Sequence, residues 1–251
     1  MKLTTMRPSM AVFAAACLLF LAQAGTLVAQ QGPVSTPVRT VLALASLPSV
    51  IDAPMYFKLS RIELGAGKST SYAGPIGFVY VVTGSLVAET ATGKRTLKPG
   101  DAVLLTAGAR HSLAAAATEA AVFLHWVLGR ADELDEATER EPAVVTELYR
   151  NTEPIPSLKP GPYEFTLTRV TFPPRMAPNV PHYRSGAALY YILQGSGSFI
   201  VDGKTDARVA GMPHFEPHGW VHRWGNPGDD PLVLLQANIG EEGVPAVITV
   251  P

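Results

Sequence analysis

Five polar side chains near the C-terminal end of the chain have types and spacings suited to ligand binding. His182, Arg184, Tyr190 and Gln194 lie in "PHYRSGAALYYILQG", and His222 lies in "GMPHFEPHGWVHRWGN". Side chains two residues apart on a strand share a face, so His182 and Arg184 are expected to point the same way. Imidazole binds divalent transition metals, and guanidinium binds carboxylates. The set therefore indicates either a metal site or a site for a small anion.

The segments that carry these residues have the pattern of short β strands. Apolar runs such as "VYVVTG" and "LYYILQG" recur at regular spacing and are separated by Gly, Pro and Asp. Short strands divided by turn residues, with few segments of helix length, are typical of antiparallel sandwiches and barrels. We therefore predict an all-β protein built from jelly-roll barrels, with the candidate side chains inside a barrel.

The chain contains an internal duplication. Landmarks in the first half recur 111 residues later without a gap, and "FKLSRIEL" recurs as "FTLTRVTF" 108 residues later. The duplication predicts two tandem barrels, over residues 40–130 and 161–250, joined by a linker over 131–160 with a short helix at about 132–140. The landmark pairs are Gly84 with Gly195, Gly100 with Gly211, Gly108 with Gly219, His111 with His222, and Gly129 with Gly240.

The first 24 residues have the layout of a secretory signal peptide. Lys2 and Arg7 precede the apolar run "MAVFAAACLLFL", and "AQA" supplies small residues for cleavage after Ala24, with Ala29 as the alternative. An uncleaved anchor is disfavoured because the apolar run is shorter than the ~20 residues of a membrane span. Cleavage would remove Cys17, the one cysteine of the chain. We therefore expect an exported protein, periplasmic or secreted, without disulfides and without stable membrane insertion after cleavage.

The composition limits the class of partner. Hydrophobic residues make up 47% of the 251 residues, charged residues make up 16%, and the formal net charge is −1. This balance is typical of a core-rich globular protein, and the chain has no long run of like charge. We therefore expect a small-molecule ligand and no nucleic acid.

Both copies resemble the cupin superfamily, over about residues 50–129 and 160–245. The second copy has the complete second motif of that family, and the preceding segment has the skeleton of the first motif. The residues that carry the resemblance are Gly211, Pro217, Gly219, His222 and Asn226 for the second motif, and His182 and Gly195 for the first. The resemblance implies a bicupin. It also implies a divalent Mn, Fe, Zn or Ni ion held by two histidines one residue apart, a glutamate and the later histidine.

The ligand positions that the resemblance implies are only partly filled. In the second copy Arg184 replaces the second histidine and Ala188 replaces the glutamate, so His182 and His222 remain. Two ligands are fewer than the three of catalytic zinc sites or the four of structural ones. In the first copy the upstream positions hold Ser71, Ala73 and Gly77, and His111 alone remains, so we expect that barrel to hold no metal.

Other side chains could complete or replace this set. Gln194 has the same strand parity as His182, so we predict that it points into the cavity. Glu216 precedes Pro217, which favours a turn at the barrel rim. Arg184 needs an anionic partner, either a bound ligand or an acid such as Glu216. In the first copy, His125 is expected to be hydrogen-bonded in the core or to line a pocket.

These observations leave two main hypotheses, and whether the protein is an enzyme stays open. The first is an exported bicupin whose C-terminal barrel binds a small polar, carboxylate-bearing ligand through His182, Arg184, Tyr190, Gln194 and His222. The second is a metal-dependent bicupin enzyme of dioxygenase, decarboxylase, isomerase or hydrolase type, with the metal on His182 and His222. The resemblance also implies that barrel faces can pair, so a homo-oligomer is a third expectation.

Overall fold

The computed structural model describes residues 36–48, 54–136, 138–156 and 158–250, which form β strands joined by short connections and one short helix. The predicted signal peptide lies outside these residues. Within the described ranges, no helix is long and apolar enough to cross a membrane.

The first half of the chain contains ten strands and the helix. In chain order they are β1 (Val38–Leu47), β2 (Tyr56–Leu64), β3 (Ser69–Tyr72), β4 (Ile76–Thr83), β5 (Leu86–Thr90), β6 (Gly93–Leu97), β7 (Ala102–Leu105), β8 (His111–Ala115), β9 (Ala121–Gly129), α1 (Ala131–Glu136) and β10 (Val144–Arg150).

The second half contains nine further strands. In chain order they are β11 (Tyr163–Phe172), β12 (His182–Arg184), β13 (Ala187–Gln194), β14 (Ser196–Val201), β15 (Lys204–Val209), β16 (Pro213–Glu216), β17 (Arg223–Gly225), β18 (Leu232–Glu241) and β19 (Val247–Thr249).

Each copy folds into a five-stranded sheet that faces one or two smaller sheets. In the first copy the order β10-β2-β9-β4-β7 faces the four-stranded sheet β3-β8-β5-β6. In the second copy β1-β11-β18-β13-β16 faces the three-stranded sheet β15-β14-β17, and β12 pairs with β19. The strand pairs are antiparallel, so the prediction of an all-β, jelly-roll architecture is confirmed.

The two copies have corresponding strands. β4 and β13 differ by 111 positions at both ends, and so do β7 and β16. The register is repeated as well, because Gly77 pairs with Leu105 in the first copy and Ala188 pairs with Glu216 at the same place in the second. One position of the duplicated barrel thus carries leucine in one copy and a carboxylate in the other.

Two strands cross the domain limits that the sequence predicts. β1 lies mostly within the range predicted for the first barrel but pairs with β11 of the second copy, from Val38 opposite Thr171 to Leu47 opposite Tyr163. β10 lies in the predicted linker but pairs with β2 of the first copy. The segment 131–160 is therefore part of a sheet as well as a connection.

The apolar side chains form three cores, one inside each barrel and one between the two five-stranded sheets. On β9, Phe123 and Val127 face the interior of the first barrel, whereas Leu124 and Trp126 face the second sheet. Both faces of such a strand are buried, so its side chains are apolar on both faces except for His125. Phe78 and Phe165 meet across the two sheets with ring centroids 4.4 Å apart.

Candidate functional site

The five-stranded sheet of the second copy places a row of small and polar side chains inside the barrel. Ala188 of β13 pairs with Asn238 of β18 on one side and with Glu216 of β16 on the other. Directly paired residues present their side chains on the same face of a sheet, so these three lie side by side. Ala188 contributes only a methyl group between the amide and the carboxylate.

The facing side of the barrel holds the two histidines. His182 on β12 and His222 beside β17 exchange backbone hydrogen bonds of 3.0 and 2.8 Å. This bridge sets their imidazole rings beside each other, with centroids 4.5 Å apart. Both side chains are buried, so the structure brings together the two histidines that the sequence singled out.

Both rings are held by their Nδ1 atoms. Nδ1 of His182 donates to the carbonyl of Val180 at 2.9 Å, and Nδ1 of His222 donates to the carbonyl of Trp220 at 2.7 Å. A carbonyl oxygen can only accept, so in a neutral ring the proton sits on Nδ1 and Nε2 keeps its lone pair. Nε2 of His182 is therefore an acceptor directed into the barrel, whereas Nε2 of His222 faces Oε1 of Glu216 at 3.0 Å.

Arg184 is fully buried and is paired with Glu216. Its Nε donates to Glu216 Oε2 at 2.9 Å, and its Nη2 donates to the hydroxyl of Tyr190. The sequence leaves either a bound ligand or Glu216 as the partner of Arg184, and the structure shows Glu216. Nη1 has no hydrogen-bond partner among the described residues, so one guanidinium donor remains for a further acceptor.

Glu216 ends strand β16 inside the barrel, so the prediction of a turn at the rim is wrong. Its side chain has no solvent exposure. Side chains alternate between the two faces of a strand, and Glu216 shares the inward face with His214, two residues before it. Oε1 accepts from Trp224 Nε1 at 2.7 Å and lies 3.0 Å from Nε2 of His222. Pro217 follows the last residue of the strand, and the Glu216 side chain still points into the barrel.

The ionisation of the cluster follows from burial and from the ion pair. Burial alone would raise the pKa of Glu216, but Arg184, followed by His222, holds it well below its usual range. Burial lowers the pKa of His182 to about 4, against the raising effect of its bond to Val180. Burial likewise lowers the pKa of His214 to about 4. Near neutral pH Glu216 is charged, and His182 and His214 are neutral.

Tyr190 lies where the sequence predicts it, and Gln194 does not. Tyr190 is buried beside Arg184, whose guanidinium carbon is 5.5 Å from the ring centroid. The register of β13 against β18 shifts between Ile192 and Gln194, and a shift of this kind reverses which face the following side chain occupies. Gln194 is exposed at the end of the strand, so its predicted place in the cavity is wrong.

Aromatic rings surround the polar cluster. Phe199 on β14 lies 4.3 Å from His214, 5.3 Å from His222 and 5.1 Å from Trp224, measured between ring centroids. Phe199 and Trp224 are almost completely buried. These rings fill much of the barrel, so the interior beside Arg184 and Ala188 is closely packed and closed to solvent.

The first barrel has a different buried pair at its centre. Nδ1 of His125 and Oε1 of Glu139 are 2.7 Å apart, and both side chains are buried, so the expectation that His125 is hydrogen-bonded is confirmed. A β carbon on Gly77 would lie 2.6 Å from Nε2 of His125, so glycine leaves the room that this imidazole occupies. His111 is buried and pairs through Nε2 with the carbonyl of Thr106 at 2.9 Å.

A divalent metal does not fit the second-barrel cluster as it stands. Both oxygens of Glu216 are engaged, one by Arg184 and one by Trp224, and a cation at that point would face the guanidinium charge. Among the described residues, no group of three or more His, Cys, Asp or Glu side chains is arranged to hold an ion. The interior of the second barrel thus contains the ion pair of Arg184 and Glu216, together with polar atoms such as Nη1 of Arg184 and Nε2 of His182 that have no hydrogen-bond partner among the described residues.

Two family models match the chain, one in each copy. Residues 168–237 match the cupin domain, and residues 76–157 match the AraC-like ligand binding domain. The first match spans β13, β16 and the segment that carries His222. No curated protein matches the sequence at a significant level.

Solved structures share the fold at low sequence identity. The oxalate decarboxylase from Bacillus subtilis at pH 4.6 is 15% identical with a TM-score of 0.53, over 87% of this chain and 79% of that chain. The formate complex of the Lactobacillus farciminis oxalate decarboxylase is 15% identical with a TM-score of 0.52, over 87% of this chain and 90% of that chain. At this identity the likeness shows a shared arrangement of strands in two barrels.

Proposed function

We propose that this chain, a member of the cupin superfamily with two barrels, is an exported binding protein for a small polar ligand that carries a carboxylate. The ligand would lie in the second barrel, between Arg184 and Ala188. The observation that carries the proposal is a convergence of buried polar atoms without hydrogen-bond partners among the described residues. They are Nε2 of His182 and His214, Nη1 of Arg184 and Oδ1 of Asn238.

The unpaired atoms are chemically complementary to an acid. Nη1 of Arg184 can donate to a carboxylate oxygen, and Nε2 of His182 can accept from a hydroxyl or from a protonated acid. A buried donor or acceptor that stays unpaired costs about 1–3 kcal/mol, so a ligand that satisfies several of them recovers that free energy. The match of residues 76–157 to a ligand-binding domain model and the fold of the second copy support a binding role.

The charge of the cluster limits the ligand further. Arg184 and Glu216 balance each other at 2.9 Å, and His182 and His214 are neutral near pH 7. Each negative charge that a ligand adds beside Glu216 is repelled in a medium of low dielectric constant, so a dianion is disfavoured more strongly than a monoanion. The site favours a monocarboxylate of a few heavy atoms, such as formate or acetate, over a dianion such as oxalate.

Isothermal titration calorimetry with formate, acetate and oxalate tests the proposal. We expect formate and acetate to bind the wild type more tightly than oxalate, and Ala188→Leu to abolish binding by placing a larger side chain between Glu216 and Asn238. His111→Gln, at the corresponding position to His222 in the first barrel, is the matched control and should bind as the wild type does. Equal binding by the Ala188→Leu variant, or no binding of any of the three acids, would contradict the proposal.

A metal-dependent enzyme is the second candidate, favoured by the adjacent, buried imidazole rings of His182 and His222. The engagement of both Glu216 oxygens counts against it. Elemental analysis of wild-type protein purified without chelator separates the two candidates. A stoichiometric transition metal that is lost in His222→Ala would favour the enzyme and exclude a metal-free binding site.

Export is part of the proposal and is tested separately. The N-terminal sequence of the protein recovered from its native host should begin just after Ala24 or Ala29. Recovery of the intact N-terminus, with the protein in the cytoplasmic fraction, would refute export without affecting the ligand site.

A further inference from the structure

We propose that Arg39, on strand β1, is a recognition residue for the ligand of the second barrel, where it gives an incoming carboxylate its first cationic contact. The proposal rests on the function proposed above and adds to it a residue from the N-terminal half of the chain. The ligand site of the second barrel is then built by both copies of the duplicated unit.

The first support is a reciprocal exchange of strands between the two copies. β1 precedes β2 in the sequence but pairs with β11, and β10 precedes β11 but pairs with β2. The register of each exchanged strand shifts at a corresponding place, between Val41 and Ala43 in β1 and between Glu147 and Tyr149 in β10. One wall of the second barrel therefore comes from the segment that precedes the first copy.

The second support is the position of Arg39 on the inward face of that wall. Arg39 is directly opposite Val170, whose side chain belongs to the apolar core inside the second barrel, and paired residues share a face of the sheet. Nη1 of Arg39 donates to Oε1 of Gln236 at 3.2 Å, and Gln236 is the cross-strand partner of Tyr190. The hydroxyl of Tyr190 accepts from Arg184. A chain of contacts thus joins the two guanidinium groups.

The third support is electrostatic. Burial of the Arg39 guanidinium lowers its pKa, and after burial Tyr190 raises it, Arg184 lowers it and Glu216 raises it. Arg184 and Glu216 are a neutral pair at 2.9 Å, whereas Arg39, within the described ranges, is hydrogen-bonded to Gln236 and forms no salt bridge. Its positive charge therefore offsets part of the repulsion that an anion meets from Glu216.

The fourth support is that the inward face of β1 is open to solvent. Val41 and Leu44 lie on this face, opposite threonines of β11, and are 59% and 47% exposed. Arg39 is exposed as well. Two strands further in, Gln236 and Asn238 on β18 are almost completely buried. β1 is therefore the rim at which a small anion from solvent first meets the inward face of this sheet.

The first barrel has no cation at the corresponding place. Val145 of β10 is opposite Ile62 as Arg39 of β1 is opposite Val170, and Ile62 and Val170 correspond at the offset of 108 positions. Val145 packs against the apolar core of the first barrel. The strand exchange thus does not require an arginine here, and the charge is present only in the barrel that contains the Arg184 cluster.

The experiment is isothermal titration calorimetry with acetate at pH 7, at ionic strengths of about 0.01 M and about 1 M, between which the screening length falls from about 30 Å to about 3 Å. The proteins are wild type, Arg39→Gln, Arg39→Lys and Arg95→Gln. Arg95 is an exposed arginine on β6 of the first copy, so its replacement removes the same charge from the other barrel.

The expected result is a salt-dependent loss of affinity in one variant. Charged clefts raise the local concentration of an oppositely charged ligand by about tenfold or more. Arg39→Gln should therefore bind acetate about tenfold more weakly than the wild type at low ionic strength, and the ratio should approach one at about 1 M. Arg39→Lys keeps the charge and should stay close to the wild type, and Arg95→Gln should bind as the wild type does.

Three results would overturn the role of Arg39 and leave the proposed function standing. The first is wild-type affinity in a folded Arg39→Gln variant at low ionic strength. The second is an equal loss in Arg39→Gln and Arg39→Lys that does not change with salt, which would show that Arg39 only holds Gln236 in place. The third, decisive even if Arg39→Gln does not fold, is a wild-type affinity that is the same at both ionic strengths. A wild type that binds no acetate would refute the proposed function and the role of Arg39 together.

Discussion

The buried pair of Arg184 and Glu216 gives the sharpest test of how the second barrel is held together. Replacing Glu216 with glutamine keeps the shape of the side chain and removes its charge. The guanidinium of Arg184, which is 1% exposed, would then be left without an anion. We expect Glu216→Gln to destabilise the protein strongly, and Arg184→Met to do so for the reciprocal reason.

The expected loss of unfolding free energy follows from the burial and the separation of the two charges. Breaking a buried ion pair by removing one partner costs about 3–5 kcal/mol, because the other charge stays buried without compensation. Two unit charges about 4 Å apart attract by about 4 kcal/mol at an effective dielectric constant of about 20. Each single variant should therefore lose about 3–5 kcal/mol. The double variant should lose less than the sum of the two, by about 4 kcal/mol.

The assay is equilibrium unfolding in urea at pH 7, followed by tryptophan fluorescence, for the wild type, both single variants and the double variant. Asp229→Asn is the control, because Asp229 and Arg175 form an ion pair at 2.6 Å with both side chains more than three-quarters exposed. An exposed pair of this kind contributes at most about 1 kcal/mol. The control should therefore shift the midpoint only slightly.

A coupling energy below about 1 kcal/mol between the two substitutions would show that Arg184 and Glu216 do not form a desolvated pair. A loss in Glu216→Gln no larger than that in Asp229→Asn would lead to the same conclusion.

Three further predictions test other parts of the molecule. Unfolded histidines take up protons below pH 6.5, whereas buried His182 and His214 do so only near pH 4. The free energy of unfolding should therefore fall on acidification between these values by about 1.4 kcal/mol per pH unit for each histidine. Urea unfolding at pH 7, 6 and 5 should show this slope, and the slope should be smaller in His182→Gln. Gly77→Ala should lose about 1–3 kcal/mol, since the added β carbon would lie 2.5 Å from the carbonyl of Trp126, and an unchanged melting temperature would contradict this. Glu139→Ala should destabilise the protein by about 1–3 kcal/mol, because Nδ1 of His125 loses its buried partner, and thermal unfolding by circular dichroism measures the loss.

Two errors made from the sequence have identifiable physical causes. Gln194 was expected in the cavity because strict alternation carries from residue to residue along a strand, but the register shift after Ile192 breaks that alternation. Glu216 was expected at the rim because proline follows it. Proline limits how far a strand continues and does not decide which way the preceding side chain points. Neither the bulge nor the inward direction of Glu216 leaves a local pattern that could be read from one sequence.

The sequence also could not predict how the strands are shared between the two copies. β1 joins the second five-stranded sheet, and β10 joins the first. Pairing of an edge strand depends on which sheet edge is free and within reach of the chain. That is a property of the assembled fold, and no periodicity within residues 38–47 or 144–150 encodes it.

What the sequence determined by itself is the duplicated β architecture and the chemical types at two key positions. Strand period, turn residues and a constant offset of 111 positions are local or repetitive properties, so they are visible in a linear chain. The same holds for His182 and Arg184, two residues apart on one strand. The tertiary structure alone decided that Glu216, 32 residues further along, would meet Arg184 at 2.9 Å. Glu216 pairs with Ala188 of β13, and Arg184 of β12 bridges to His218 two residues after Glu216, so strand pairing sets side chains from distant parts of the chain next to each other.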